Sequence, residues 1–385
     1  MESKEKIFWQ ACTDGDLEAV KKMASDLGVK VNWVGEDRGD TPLHRACRYG
    51  RLEIVKVLLA RSKIEVNKGN KGDASPFFIA CQEGHKEVVS MLLADLRTDT
   101  NKPANSGDTP FFMACQNGHK EVVSLLLANT RIVHNKPRDN GATPFLIACE
   151  NGHKEVVSLL LANPRIDPNL SANDGAFPFL MACQEGYAEV VSLLLADPRI
   201  DPNKPQKNQS TPLWFASQNG RLVVVQRLLA SGREIDTRRR SKFNDKTAAE
   251  QGRVMAASTT KPAEETENDF QIRKSNGPLC ADLIDEYERD PVPVRHRLRR
   301  QPGLREYFSG HLFALVVFHS DSFVVINQRT AHPDTKRFFR ITSRLPLDLQ
   351  MVLCNRIFGS PRDIILSLDS EPGFQLLART TSWQQ

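Results

Sequence analysis

A cysteine and a histidine recur four residues apart along the first half of the chain. The pairs are Cys81–His85, Cys115–His119 and Cys149–His153. Two side chains at this spacing lie on the same face of a helix, where a thiolate and an imidazole could share a Zn²⁺ ion. The alternative is a repeated structural unit in which the cysteine acts as a small buried hydrophobe.

Composition places few limits on the function. The chain has 385 residues, 40% hydrophobic, and a formal net charge of +5, which is too small to indicate nucleic acid as a partner. The N-terminus lacks the apolar core of a signal peptide. The best membrane-span candidate, Leu312–Ile326, is interrupted by His319, Ser320 and Asp321, so we predict buried core there and no membrane association. Eight cysteines without a compact spacing predict free thiols in the cytoplasm, with the nucleus as the alternative.

The Cys–His pairs lie inside a repeat of 34 residues. Copies of a segment such as ACQNGHKEVVSLLLAN begin at Ala46, Ala80, Ala114, Ala148, Ala182 and Ala216. A shorter motif of the T-P-F-F type precedes them at Thr41, Ser75, Thr109, Thr143, Phe177 and Thr211. Six copies in register predict one supersecondary unit stacked on itself.

One copy can be interpreted residue by residue. Thr109 is a helix cap, and Pro110 occupies the first helical position, where its missing N–H has no cost. Gly118 ends this helix, because glycine readily adopts the left-handed conformation. Val122 and Leu126 then give a second helix an apolar face. Neither helix can bury its apolar face alone, so neighbouring units must stack.

These motifs resemble the ankyrin repeat, with its T-P-L-H start, alanine-rich first helix and Gly-His turn. We therefore predict an all-α fold: an ankyrin-repeat solenoid of helix-turn-helix units with hairpin-like loops, followed by a smaller helical C-terminal domain. The predicted boundaries are an N-terminal capping repeat at 1–40, full repeats at 41–74, 75–108, 109–142, 143–176, 177–210 and 211–244, the start of a C-terminal capping repeat at 245–256, a flexible linker or insertion at 257–276, and the helical domain at 277–385.

The resemblance favours structural packing over metal binding for the Cys–His pairs. The cysteine stands where the ankyrin pattern usually has alanine, and the histidine of the Gly-His turn is expected to bond backbone groups. Gly118 also breaks the helix between Cys115 and His119. We predict neither a metal site nor a cofactor.

The resemblance also implies protein binding, on a concave face built from loop tips and first helices. The candidate residues at the ends of the first helices are Tyr49, Glu83, Asn117, Asn151, Glu185 and Asn219. For each of them the alternative is an ordinary solvated helix end.

Of the six copies, only the first has the histidine of T-P-L-H, which is His44. Its place is taken in the other copies by Phe78, Phe112, Leu146, Leu180 and Trp214. These side chains either fill the space between repeats or line an apolar strip that anchors a partner. The sequence leaves both alternatives open.

One C-terminal segment, Arg344–Ile365, resembles the start of an F-box, which binds the Skp-type adaptor of a cullin–RING ubiquitin ligase. Poxvirus ankyrin proteins have the same order of repeats and F-box-like segment. The candidate adaptor-binding residues are Leu345, Pro346, Leu349, Leu353 and Ile357. The alternative is a core helix, since Leu-Pro often opens an amphipathic helix.

The two basic segments, Val294–Arg305 and Arg238–Lys242, could be a nuclear signal or an anion-binding patch, but they lack interleaved aromatic residues, and we favour a solvated helix face. No catalytic motif is present. We therefore predict a non-catalytic adaptor or scaffold that binds a protein of unknown identity, with no small-molecule substrate and no nucleic acid. The alternative is a substrate receptor of a ubiquitin ligase.

Overall fold

The computed structural model describes residues 3–26, 28–262 and 265–302, together with residues 304, 305, 307–309, 312, 313, 350 and 354. Regular structure in these parts of the chain is helical throughout, which confirms the predicted all-α fold. The helices are α1 (Lys4–Asp14), α2 (Leu17–Ala24), α3 (Pro42–Arg48), α4 (Leu52–Leu59), α5 (Pro76–Glu83), α6 (Lys86–Ala94), α7 (Pro110–Gln116), α8 (Lys120–Ala128), α9 (Pro144–Glu150), α10 (Lys154–Ala162), α11 (Pro178–Glu185), α12 (Ala188–Ala196), α13 (Pro212–Gln218), α14 (Leu222–Ala230), α15 (Ala248–Ala257), α16 (Glu267–Arg289) and α17 (Pro291–Arg299).

Each full repeat consists of an odd-numbered first helix and an even-numbered second helix. In the third repeat Thr109 Oγ1 accepts a hydrogen bond from Phe112 N at 3.1 Å, and Pro110 opens α7, as the sequence predicts. Gly118 lies between α7 and α8 with φ of 73°. A Cβ at Gly118 would lie 2.5 Å from Nδ1 of His153, so the close approach of the next repeat also requires glycine here.

The chain forms two compact units, Met1–Pro178 and Phe179–Gln385. In the first unit the first helices α1, α3, α5, α7 and α9 pack side by side, and α2, α4, α6, α8 and α10 form a parallel row. Phe8 and Cys12 on α1 are fully buried, so α1 and α2 extend this core at its N-terminal end.

The side chains that replace the T-P-L-H histidine lie in the interior of the repeats. The exposed fractions are 4% for Phe78, 0% for Phe112, 2% for Leu146, 1% for Leu180 and 3% for Trp214. An apolar side chain at this position gains free energy by leaving water between stacked helices. These candidates therefore pack the core, and they do not form the exposed apolar strip that the sequence left open.

In the second unit α13 packs on α15, α15 on α16, and α17 on both α14 and α16. The flexible linker expected at 257–276 is wrong from Glu267 onwards, where α16 begins. Thr266 caps this helix through a hydrogen bond from Asp269 N at 3.1 Å. Phe270 and Arg273 are buried, and Arg273 is 2.6 Å from Glu265. The polar composition was misleading because a buried arginine with a carboxylate partner is tolerated in a core.

The predicted domain boundary at 276/277 consequently lies inside α16. A Cβ at Gly277 would lie 2.5 Å from the carbonyl oxygen of Gly252 on α15, so the two helix backbones nearly touch. The helices α15 and α16 thus pack as a pair.

The F-box-like segment lies almost entirely outside the described residues. Only Gln350 and Cys354 of it are described, and both are buried. The adaptor-binding role of Leu345, Pro346, Leu349, Leu353 and Ile357 stays a prediction.

We expect Phe112→Ala to lower the free energy of unfolding by about 3–5 kcal/mol, since it removes a fully buried ring from between two repeats. Urea titration monitored by circular dichroism measures this change. Leu125→Ala, at a half-buried position on α8, is the matched control and should cost clearly less. Equal losses for the two variants would contradict the packing role of Phe112.

We also expect stability to fall at acid pH through His44. Thr41 N donates to His44 Nδ1 at 3.1 Å, and His44 Nε2 lies 2.9 Å from the carbonyl oxygen of Ala74. Burial lowers the pKa of His44, so the unfolded chain takes up a proton first as the pH drops. The stabilisation is complete above about pH 6.5 and is lost below it. His44→Leu, the residue type found at position 146, should show a smaller loss of stability between pH 7.5 and 5.

Candidate partner-binding surface

A groove of about 460 Å³ opens in the first unit between the hairpin-like loops and the first helices. We call it the loop–helix groove. Its lining residues are Asp37, Arg38, Arg48, Asn70, Lys71, Gly72, Ala74, Phe78, Ile79, Gln82, Ala104, Ser106, Asp108 and Met113. Of the candidate residues predicted from the sequence, only Phe78 belongs to this lining.

The floor of the loop–helix groove is apolar and its rim is charged. Ala74, Phe78 and Ile79 form a buried cluster against which Ala104 and Met113 pack, partly exposed. The rim carries charges of both signs on the loops. An apolar floor with a polar rim is the composition found in protein interfaces.

The loops that form the rim are joined by backbone hydrogen bonds. Lys71 N donates to the carbonyl of Arg38 at 3.0 Å, and Asn105 N donates to that of Gly72 at 2.9 Å. Each loop is thereby held at a constant spacing from the next. The rim side chains vary in type on a regular backbone frame.

Glu83 lies at the edge of the groove in an ion-pair network. Arg48 is 3.0 Å from Glu83 and 3.3 Å from Asp40. Asp40 is only 2% exposed, and it also accepts a hydrogen bond from Asn70 Nδ2 at 3.0 Å. The network neutralises a buried carboxylate and joins the first two repeats.

Tyr49 is the most exposed aromatic candidate, at 44%. Arg45 stacks between two rings, with its guanidinium carbon 4.9 Å from the centre of Tyr49 and 4.3 Å from that of Trp9. Arg45 Nη2 also donates to the Tyr49 hydroxyl at 3.2 Å. The ring is held in place while one face remains accessible, although it does not line the groove.

The asparagine candidates bind the preceding repeat. Asn117 Nδ2 donates to the carbonyl of Gln82 at 2.8 Å, and His119 Nε2 lies 2.8 Å from the same oxygen. Asn151 and His153 repeat this arrangement on the carbonyl of Gln116, at 2.8 and 2.7 Å. The expectation that the Gly-His histidine bonds backbone is confirmed, and these asparagines join it in coupling repeats.

In the second unit an arginine, Arg221, makes the hydrogen bond to the preceding repeat that a histidine makes in the first unit. Arg221 Nε donates to the carbonyl of Gln184 at 3.0 Å, and Asn219 Nδ2 donates to the same oxygen at 3.2 Å. Glu185 accepts a hydrogen bond from Gln184 Nε2 at 2.9 Å. Asn219 is therefore a coupling residue, and Glu185 remains half-buried beside it.

The cysteines of the repeats are fully packed. All eight cysteines of the chain are buried. Burial raises the pKa of the Cys115 thiol well above its usual range, so the thiolate that a metal or a nucleophilic reaction needs is disfavoured. Among the described residues no three potential ligands lie close enough to hold a metal ion.

A row of asparagines that bond the backbone of the following repeat, which we call the asparagine ladder, was not predicted from the sequence. Asn101 Nδ2 donates to the carbonyl of Arg131 at 2.6 Å, and Asn101 Oδ1 accepts from Val133 N at 2.8 Å. Equivalent paired bonds are made by Asn32, Asn67, Asn135 and Asn203. The signal was present in the sequence as an asparagine recurring every 34 residues from Asn67.

Arginines of both basic segments have carboxylate neighbours. Arg240 is 3.0 Å from Glu250, and Arg239 is 3.0 Å from Asp236. Arg297 is 2.6 Å from Glu286. This pairing favours the solvated-face interpretation over an anion-binding patch. Within the described part of the chain, no helix has both the length and the apolar character needed to cross a bilayer.

A family model of ankyrin repeats matches the chain in three copies, over residues 7–104, 96–172 and 165–239. The matched stretch is more than half of the 385 residues.

Curated relatives match over shorter stretches. Scaffold protein ILK of Homo sapiens is 39% identical over 67 residues, which are 17% of this chain and 14% of that protein. An ankyrin repeat-containing protein of Schizosaccharomyces pombe is 31% identical over 72 residues, 19% of this chain and 33% of the relative. The matches thus span less than two thirds of these relatives' lengths. The crystal structure of the ankyrin repeat protein EF0377 is 28% identical, covers 49% of this chain and 96% of its own, and has a TM-score of 0.45.

We expect Asn101→Ala to lower the free energy of unfolding by about 1–3 kcal/mol, because it removes a donor and an acceptor that join two repeats. The measurement is again urea titration. Asn105→Ala, an exposed asparagine whose side chain makes one long bond of 3.4 Å, is the control and should change stability by less than about 0.5 kcal/mol. If Asn101→Ala leaves the free energy of unfolding unchanged, the asparagine ladder does not stabilise the fold.

Proposed function

Because the chain belongs to the ankyrin-repeat family, we propose that it is a non-catalytic adaptor or scaffold that binds a protein partner in the loop–helix groove. The observation that carries the proposal is the groove itself. It combines a buried apolar floor with loops whose spacing is set by backbone hydrogen bonds and whose side chains differ from repeat to repeat. Such variable loops on a regular frame are where binding specificity usually resides.

The side chains that line the loop–helix groove indicate what kind of partner segment fits it. Ala104 and Met113, which pack partly exposed against the buried Ile79, offer a small apolar surface. Asp37 on the rim is acidic, whereas Arg38 and Lys71 are basic. The groove therefore suits a segment with a central apolar anchor and flanking polar groups of mixed charge. Because the loops are already ordered, little conformational entropy is lost on binding.

The alternative of an enzyme has little chemical support. The potential nucleophiles with perturbed acidity are buried cysteines, and burial raises the pKa of Cys12 to about 12. A thiol with this pKa is protonated at neutral pH and unreactive. One of the relatives carries the name of a scaffold protein, which agrees with a binding role.

We expect the charge reversals Arg38→Glu and Lys71→Glu, made together, to weaken partner binding by about tenfold or more. Both residues lie on exposed positions of the rim. The measurement is affinity capture with the immobilised full chain, followed by titration calorimetry of the recovered protein against the purified variants.

The matched control is the double variant Lys56→Glu and Lys120→Glu, which places the same charge change on exposed positions of the second helices. Binding to this control should equal binding to the parent chain. If the two double variants lose the partner to the same extent, the effect is one of net charge and the groove is not the binding site.

A further inference from the structure

The second helices of the third, fourth and fifth repeats have nearly the same sequence but differ in exposure. Both α8 and α10 read KEVVSLLLA, and α12 reads AEVVSLLLA. Ser124 on α8 is exposed, whereas the equivalent Ser192 on α12 is 4% exposed. Leu127 on α8 is half-buried, and its counterpart Leu195 is 7% exposed. In the second unit, therefore, another part of the chain covers this face.

The cover includes Arg299, at the end of α17, and Tyr307. The Tyr307 hydroxyl donates to the carbonyl of Ser192 at 3.1 Å, and its ring centre is 5.6 Å from the Arg227 guanidinium carbon. Arg299 Nε donates to the carbonyl of Ala230, the last residue of α14, at 2.8 Å. An arginine and a tyrosine eight positions apart thus occupy the groove between α12 and α14.

In the first unit, no described residue covers the same groove. A depression of about 490 Å³ lies between α8 and α10, and we call it the second-helix groove. Its lining residues are Ser124, Leu127, Ala128, Leu159, Ala162, Asn163, Pro164 and Arg165. Two repeats later these positions are occupied by Ser192, Leu195, Ala196, Arg227, Ala230, Ser231, Gly232 and Arg233, which include the contacts of Tyr307 and Arg299.

At the position equivalent to that of Arg299, the described residues of the first unit provide no hydrogen-bond donor. Ala162, the last residue of α10, is exposed, whereas the equivalent Ala230 is fully buried. Within the described residues the carbonyl of Ala162 accepts no hydrogen bond, although the carbonyl of Ala230 accepts one from Arg299. The C-terminal end of a helix carries partial negative charge, so it favours a cationic donor.

We propose that the second-helix groove binds a basic segment of a partner protein that resembles residues 291–309, with an arginine from the end of a helix on the Ala162 carbonyl and an aromatic side chain from beyond the following turn over Ser124 and Leu127. The contacts of Arg299 and Tyr307 in the second unit supply the template. Leu159 replaces Arg227 at the centre of the open groove, so the aromatic ring meets an aliphatic side chain instead of a guanidinium group. This surface is separate from the loop–helix groove.

The test uses the full chain and a synthetic peptide with the sequence of residues 291–309 as the probe. The chain's own copy occupies its groove at high effective concentration, so added peptide binds the open one. Fluorescence anisotropy at physiological salt should give saturable binding. Ala162→Lys fills the groove and repels the arginine, and it should weaken binding by about tenfold or more. Lysine is favourable at a helix C-terminus, so the fold should be retained, as circular dichroism can verify.

Two controls separate recognition from simple charge attraction. Ala60→Lys adds the same charge at the exposed equivalent alanine at the end of α4, outside the groove, and should leave binding unchanged. A peptide with Tyr307→Ala keeps every charge and should bind about tenfold more weakly. The proposal is overturned if the parent chain shows no binding below about 1 mM, if Ala162→Lys and Ala60→Lys behave alike, or if the altered peptide binds as well as the parent peptide.

Discussion

The stability of the short helices depends on the hydrogen bonds that join each repeat to the next. The helices α7 and α8 have 7 and 9 residues, too few to persist alone in water. His119 and Asn117 both bind the carbonyl of Gln82 in the preceding repeat, and Asn101 binds the repeat that follows. The stability of such a chain is the sum of these interfaces and the intrinsic terms of each unit.

This coupling decides which residues are left for binding. Side chains that recur at the same position in most repeats are mostly used at the interfaces between repeats, as the buried Cys115 and the bonded Asn101 illustrate. Residues that differ between repeats lie mainly on the loops, and the rim of the loop–helix groove is built from them. The second-helix groove is lined in part by recurring residues such as Ser124 and Leu127, which differ from their counterparts in the second unit in exposure.

The second unit continues this coupling without the repeat motif. A Cβ at Gly84 would meet the ring of His119, whereas a Cβ at Gly220 would lie 2.8 Å from the Cα of Arg273 on α16. Asn276 Nδ2 also donates to the carbonyl of Gly220 at 3.1 Å. The backbone of α16 therefore fills the place that an imidazole takes elsewhere, which the polar sequence of residues 267–276 did not indicate.

The sequence by itself determined the period, the caps and turns of each repeat, the family, and the packing role of the cysteines, because all of these follow from short-range patterns. Tertiary structure decided whether Phe78 and its counterparts face the core, that Asn101 couples two repeats, and that one of several nearly identical second helices is covered. Exposure depends on which distant segment packs against a surface. Ser124 and Ser192 lie in almost the same local sequence, and the contacts of Ser192 with Arg227 and Tyr307 distinguish them.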